Sequence, residues 1–351
     1  MNLRRAISPQ RGFSLVDLMV GVTIGLFATL VIVQVYSTFS AQQRRTAGSA
    51  DAQSSGGLAT YFIEREAQLA GYGMPVFDTT NPVLMCNAVN GADTSISPVS
   101  IVDGGAGSDQ LVVRYADSQL GGINTSSVAY NGNSLTAFNN YFQPYLYATG
   151  PGNCPATLAD CTTTQYLMVA SNGTCTLAPV SSTQNIVVNS TDGLAYIGGW
   201  NAITFLVNNS QLQRCQNCGA NLNAAVSVAP DIVNMQAQYG VSATESSNVI
   251  TQWVDATGAW ANPSVANRNR IKAIHIAVVA RNSQPDVGGT TAACSSLTTA
   301  NPTGLCAWAG SAASPAPAVN LTDANWQNYH YRVFDTIIPL RNVVWSVNTL
   351  P

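Results

Sequence analysis

Charge is what this chain has least of. Only 9% of its 351 residues are Asp, Glu, Lys or Arg, against roughly a quarter in ordinary soluble domains, and Lys272 is the sole lysine. The formal net charge is -3, and no basic patch or run is present. Nucleic acid is thereby excluded as a partner, because phosphate binding needs clustered Lys and Arg. No Lys/Arg cluster in the sequence suggests an anionic lipid site either. Histidine is nearly absent too, with only His275 and His330. The chain has no G-x-S-x-G elbow, no Walker loop, no G-x-G-x-x-G after a strand and no H-E-x-x-H. Neither enzymatic activity nor a cofactor is expected. "GGAGSDQLV" at 104–112 fits one unit of a Ca2+-binding nonapeptide, but one unit cannot build a stacked site. It reads as a Gly-rich turn feeding a strand, with no metal.

Long apolar runs, by contrast, are present in one place. From Leu18 to Phe39 there is no charged residue, and at about 1.5 Å per residue that run can cross a hydrocarbon core of roughly 30 Å. Ahead of it stands the short basic leader "MNLRRAISPQRG", and almost at its mouth lies one carboxylate, Asp17. An acid inside hydrocarbon costs a few kcal/mol and calls for a partner. Beyond the run, "AQQRRTAGSADAQSSGGLATYFIEREAQLAGYG" turns amphipathic, with Leu58, Phe62 and Leu69 at helical spacing. One long helix is expected, softened by Gly48, Gly56 and Gly57 and stopped by Gly71, Gly73 and Pro75.

From Pro75 onward the pattern is β-rich. "DQLVVRY", "QYLMVA", "NIVVN" and "AITFLVNN" are candidate strands. "DIVNMQAQYGV" alternates Val233, Met235, Ala237, Tyr239 and Val241, and "RIKAIHIAVVARN" does the same with Ile274, Ile276, Val278 and Ala280. A final strand is expected near "YRVFDTIIPLRNVVW", with Pro339 placing it at an edge or ending it. Polar loops span 116–164 and 283–325.

Eight cysteines, Cys86, Cys154, Cys161, Cys175, Cys215, Cys218, Cys294 and Cys306, on a polar exported chain suggest disulfides. Connectivity does not follow from spacing. Cys154 with Cys161 and Cys294 with Cys306 are near enough in sequence to close small loops, leaving Cys86 with Cys175. For "CQNC" at 215–218 a disulfide is favoured over a redox or zinc role, and whether the two cysteines bond to each other is open.

A cleavable secretory signal would have a shorter apolar core, and a plain anchor would leave Arg11-Gly12 and Asp17 unexplained. The basic leader ending in Gly12, then Phe13, then "SLVDLMVG" with an acid at the fifth position after the glycine, resembles a type IV prepilin. The family pattern has Glu where this chain has Asp17. "EREAQLAGYG", "GSDQLVVRY", "QAQYGV", "RIKAIHIAVVARN" and "YRVFDTIIPLRN" resemble the PilW-type minor pilins, which are similar in build to the J-type minor pseudopilin of type II secretion.

The resemblance implies an α+β, pilin-like fold. Residues 1–12 would be a leader, 13–40 a transmembrane and filament-core helix, 41–74 its amphipathic continuation, and 75–351 a head built on an antiparallel sheet that packs on the helix. It implies cleavage by prepilin peptidase between Gly12 and Phe13, N-methylation of Phe13, and pairing of Asp17 with a neighbour's terminal amine during assembly. Losing the three arginines ahead of Phe13 would take the charge from -3 to -6. Gly21-x-x-x-Gly25 would allow close helix approach in the filament core. The expected role is priming of type IV pilus assembly at the tip; the alternatives are a type II secretion pseudopilin or a tip adhesin. Expected partners are other minor pilins, the major pilin, the peptidase and a tip adhesin. Before assembly the chain would sit in the inner membrane with its head periplasmic, and afterwards in an extracellular pilus.

Overall fold

A computed structural model describes residues 12, 14–74, 88–90, 97–105, 107–117, 165–171, 174–180, 193–219, 221–282, 285, 294, 305–321 and 323–348. The first element is a single helix, α1 (Leu15–Ala67), 53 residues long and therefore about 80 Å from end to end. Ser14 caps it, its hydroxyl accepting from the Val16 N–H at 3.4 Å. A series of turns follows Ala67, in which Gly71 (φ +77°) and Gly73 (φ +66°) take left-handed conformations that other residues rarely adopt. The Gly73 backbone lies against the Ala116 carbonyl, so a side chain there would also clash.

Three sheets follow among the described residues. One contains β1 (Ala88–Asn90), β4 (Gln165–Ser171), β5 (Thr174–Val180) and β6 (Gly193–Gly198) in the order β1-β5-β4-β6, with β1 and β5 parallel. The second is antiparallel and contains β2 (Val99–Val102), β3 (Gln110–Ala116), β7 (Trp200–Asn208), β8 (Gln211–Gln216) and β9 (Val226–Pro230), in the order β2-β3-β7-β8-β9. The third, also antiparallel, orders β11 (Ile250–Val254), β10 (Ile232–Ser242), β12 (Ile271–Arg281) and β13 (Tyr331–Pro339) as β11-β10-β12-β13. A short helix α2 (Val265–Arg270) leads into β12, and α3 (Arg341–Asn348) ends the described chain. The fold is α+β, with the head divided among several sheets rather than built on one.

One core joins the second and third sheets to the inner side of α1. Ala59, Ile63 and Ala67 of the helix meet Leu111, Phe205, Met235, Tyr239, Ile274 and Ile276. Ile274, Ile276, Val278 and Ala280 share that face, as their alternation suggests. In β10 the alternation breaks once. A register irregularity between Ile232 and Asn234 puts Ile232 into the core and leaves Val233 with the cluster on the opposite face. That opposite face is not solvated. Ala307, Val319 and Leu321 cover Ala277 and Val279, so much of the expected polar loop 283–325 is a lid over the sheet. A strand buried on both faces needs such a cover.

Pro339 is the last residue of β13, an edge strand, and "NVVW" beyond it is helical. "NIVVN" and nearly all of 116–164 lie outside the described residues. The Gly-rich segment at 104–109 is a turn into β3. Asp109, 2% exposed, pins it by accepting from the Gly104 N–H at 2.9 Å and, across the core, from the Ala237 N–H at 2.7 Å. Burial pushes its carboxyl up to about 7 against the lowering effect of those two donors.

Candidate assembly surface

The two ends of α1 are built from different residues. From Leu15 to Phe39 the large apolar side chains are exposed on every side of the helix, among them Leu18, Val22, Ile24, Phe27, Val31 and Val35. The hydroxyls in this half are turned back on the helix. Thr23 donates to the Val20 carbonyl at 2.9 Å, Thr29 to Leu26 at 2.8 Å and Ser37 to Gln34 at 2.8 Å. Polar groups satisfied within the segment are what hydrocarbon demands. Gly21 and Gly25 stand on open surface, where an added Cβ would meet nothing within 4 Å. Another helix could approach closely there.

Asp17 is exposed in the first turn of α1, where a negative charge is favoured by the helix dipole. Among the described residues no side chain pairs with it. Gly12 is described and exposed, whereas Phe13, the residue expected to carry the new amine, lies outside the described residues.

The other half of the helix is joined to the head. Its buried positions are Gly48, Ala52, the adjacent pair Ser55 and Gly56, Ala59, Ile63 and Ala67, otherwise spaced three or four apart and small except at Ile63, and Ala70 in the turns beyond is buried too. Leu58, Phe62 and Leu69, the large apolar residues at helical spacing, are not what docks: Phe62 is half-buried at the core's margin, and Leu58 (41% exposed) and Leu69 (38%) flank the contact. Small side chains bring the helix backbone close to the sheet, leaving no room for leucines between them. At Gly56 the Phe334 ring lies where a Cβ would be, and at Gly48 a Cβ would come within 2.9 Å of Asn282 Cβ. Gly48 and Gly56 are contact points within a continuous helix.

Polar contacts tie the same half to several strands. Glu66 accepts from Arg214 of β8, Nε at 3.1 Å and Nη2 at 3.0 Å, and from the Tyr115 hydroxyl of β3 at 3.2 Å. Thr336 of β13 donates to Glu64 at 2.7 Å. Burial, then the Glu66 charge, pushes the Tyr115 phenol up to about 12. The helix cannot swing without breaking these contacts, so any force or position imposed on its bare half passes to the head.

In the sheet His275 stacks on Trp308 at 3.7 Å between ring centroids, and its Nε2 is 3.4 Å from Asp335. Burial lowers its pKa against the opposing pull of Asp335. This packing gives His275 a structural part in the sheet. Cys215 bonds to Cys218, and Cys294 to Cys306. The second bridge ends at Cys306, near the start of the described part of the lid. Cys86, Cys154 and Cys161 lie outside the described residues. Among the described residues no group of three His, Cys, Asp or Glu side chains could hold a metal ion.

Sequence reading missed the small-residue stripe and the Glu66–Arg214 pair. The first had a visible signal, the rhythm of Ala, Gly and Ser from 48 to 70. The second had none, because its partners are 148 positions apart.

Residues 200–342 match the family described as Type IV Pilus-assembly protein W. The matched span runs from the first residue of β7 into α3, less than half of the chain, and takes in the whole third sheet. Among solved structures, a type IV-like pilin from Thermus thermophilus is similar, with 12% sequence identity and a TM-score of 0.34 over 84% of this chain and 97% of that one. No curated protein matches.

Proposed function

We propose that this chain is a minor pilin: prepilin peptidase cuts it between Gly12 and Phe13, and it takes part in priming type IV pilus assembly at the tip. The observation that carries the reading is the bare half of α1, an apolar surface about 25 residues long with no cover in the monomer, continuous with a head whose sequence matches a pilus-assembly family. In the inner membrane lipid covers that surface; in a pilus the helices of other pilins do. The partners are other minor pilins and the major pilin.

Asp17 then has its partner. Cleavage leaves a positive amine on Phe13, about one helical turn away along its own chain, and a staggered neighbour can present its own amine closer. An unpaired carboxylate in that layer is costly, so pairing sets the axial register between subunits. Deletion of the gene is expected to remove surface pili; intact pili without twitching would point to an adhesin instead. Asp17→Ala is expected to leave cleavage and membrane insertion intact while weakening co-purification with other pilins, and Asp17→Glu to retain it. Normal piliation by Asp17→Ala would remove the register role.

A further inference from the structure

The last strand of the third sheet leaves one side of its backbone unpaired. In β12 the Lys272 carbonyl accepts from the Leu340 N–H at 2.9 Å, and the Arg281 N–H donates to the Asp231 carbonyl at 2.9 Å. Even-numbered residues of β12 therefore bond toward β13 and odd-numbered ones toward β10. The register sets Ile274 opposite Ile338, Ile276 opposite Thr336 and Val278 opposite Phe334, so the even-numbered residues of β13 are the ones bonded to β12. Tyr331, Val333, Asp335 and Ile337 turn their N–H and C=O groups to the other side, and among the described residues no strand receives them. Pro339 has the same parity, and its missing N–H falls on that open side, where the ladder to β12 loses nothing.

Proteins blunt long sheet edges with bulges, internal proline or charge. β13 runs nine residues in unbroken register, with proline only at its end. The helix does not close its open side, because Tyr331 and Val333 line a cleft of about 830 Å3 together with Ala50 and Gln53 of α1. Farther along, Ile337 is 52% exposed and Asp335 is exposed as well. The odd-numbered side chains share the lid face, where Tyr331 and Val333 pack against the lid cluster. Asp335 is the one charge among them. His275 beside it is held neutral at neutral pH by burial, and among the described residues no Lys or Arg pairs with this carboxylate.

That carboxylate selects the occupant. Two copies of β13 pairing antiparallel over the full strand would centre on Asp335 and set two carboxylates opposite each other, which is repulsive. A foreign strand with lysine or arginine at that place, and apolar residues two positions away on either side, complements Asp335, Val333 and Ile337 together.

We propose that the open edge of β13 binds an extended segment of a partner protein, which adds antiparallel to the third sheet with a basic residue opposite Asp335 and apolar residues opposite Val333 and Ile337. This docking edge is on the head, apart from the bare half of α1, and does not depend on what covers that half.

The test uses the full chain in a mild nonionic detergent. The probe is a labelled, end-capped peptide as long as β13, alternating valine with threonine, with valine at both ends and arginine in place of the central valine. By fluorescence anisotropy it should bind about tenfold tighter than its counterpart with central glutamate, as the exchange of an attractive for a repulsive cross-strand pair predicts. Asp335→Lys should reverse that preference. N-methylation of the arginine and its two nearest valines removes the N–H groups that face β13 and should abolish binding, whereas N-methylation of the threonines should leave it unchanged. Val333→Pro removes an outward N–H but no bond to β12, and should abolish binding by a folded head. If Val333→Pro misfolds, Asp335→Lys, at an exposed side chain, carries the test. Equal binding of the arginine and glutamate peptides overturns the proposal, as does an equal effect of the two methylation patterns or no binding by the parent. A parent chain that is dimeric by native mass spectrometry, and monomeric as Val333→Pro, would assign the edge to a second copy and overturn the partner segment.

Discussion

Between Leu15 and Phe39, α1 carries large apolar side chains on every side and none is covered; between Gly48 and Ala67 it turns small side chains inward and the head covers them. The contrast follows from what each half packs against. A sheet already supplies bulky Ile, Phe and Met side chains, so the helix that docks on it contributes space and a close backbone. Lipid tails, or the helices of other subunits, supply no fixed shape, so the bare half gains from large side chains all round. A single helix thus holds two surfaces, one satisfied within the chain and one that only an environment or another chain can satisfy.

That separation can be broken from either side. The largest effect is expected from Ile24→Lys in the bare half. Placing a lysine near the centre of a spanning segment costs about 3–4 kcal/mol relative to isoleucine. Membrane retention should fall sharply while the melting temperature of the head stays unchanged. If the head melted lower, the two halves would not be independent.

The next effect belongs to the docked half. Gly56→Leu places a side chain on the Phe334 ring and should destabilise the head by about 1–3 kcal/mol, although leucine favours a helix over glycine by nearly 1 kcal/mol. Its neighbour Gly57 faces open space, so Gly57→Ala should stabilise by up to about 1 kcal/mol. Thermal unfolding of the two variants in detergent, with membrane retention unchanged in both, would sharpen the comparison to adjacent residues.

The smallest effect is the share of Tyr115, at the docked half, in the alkaline pH dependence, to which Tyr239 and Tyr331 also contribute. The Tyr115 phenol, raised to about 12, keeps its proton in the folded chain while the unfolded chain loses it near 10. The folded state then binds more protons, so stability falls as pH rises from about 10 to about 12. Urea unfolding across that range should show a shallower fall in Tyr115→Phe than in the parent.

How much of this the sequence discloses depends on the range of the interaction. The apolar run, the single long helix, the strands at "DQLVVRY" and "RIKAIHIAVVARN" and the turn at 104–109 depend on neighbours within a few positions, and those are legible. Val233 is misplaced by period-2 counting because the register irregularity between Ile232 and Asn234 puts Ile232 on the face of Met235, Ala237, Tyr239 and Val241, and nothing local marks it. The lid over β12 reads as a polar loop because Ala307, Val319 and Leu321 are scattered among Ser, Pro and Asn, without a period. The docking stripe escapes because hydrophobic-face reasoning looks for leucines, whereas close helix–sheet approach selects alanine and glycine. The contact of Arg332 with Ser49 exists only once β13 has been laid beside α1.

The central claim is that the bare half of α1 stays in the mature protein and begins at Phe13. Intact mass and N-terminal sequencing of the protein extracted from the membrane test it most directly. The account predicts a chain that starts with N-methylated Phe13. A product starting near Ala41 would mean that the bare half is a discarded secretory signal, and a chain still starting at Met1 would leave it a plain anchor; either result would contradict the account.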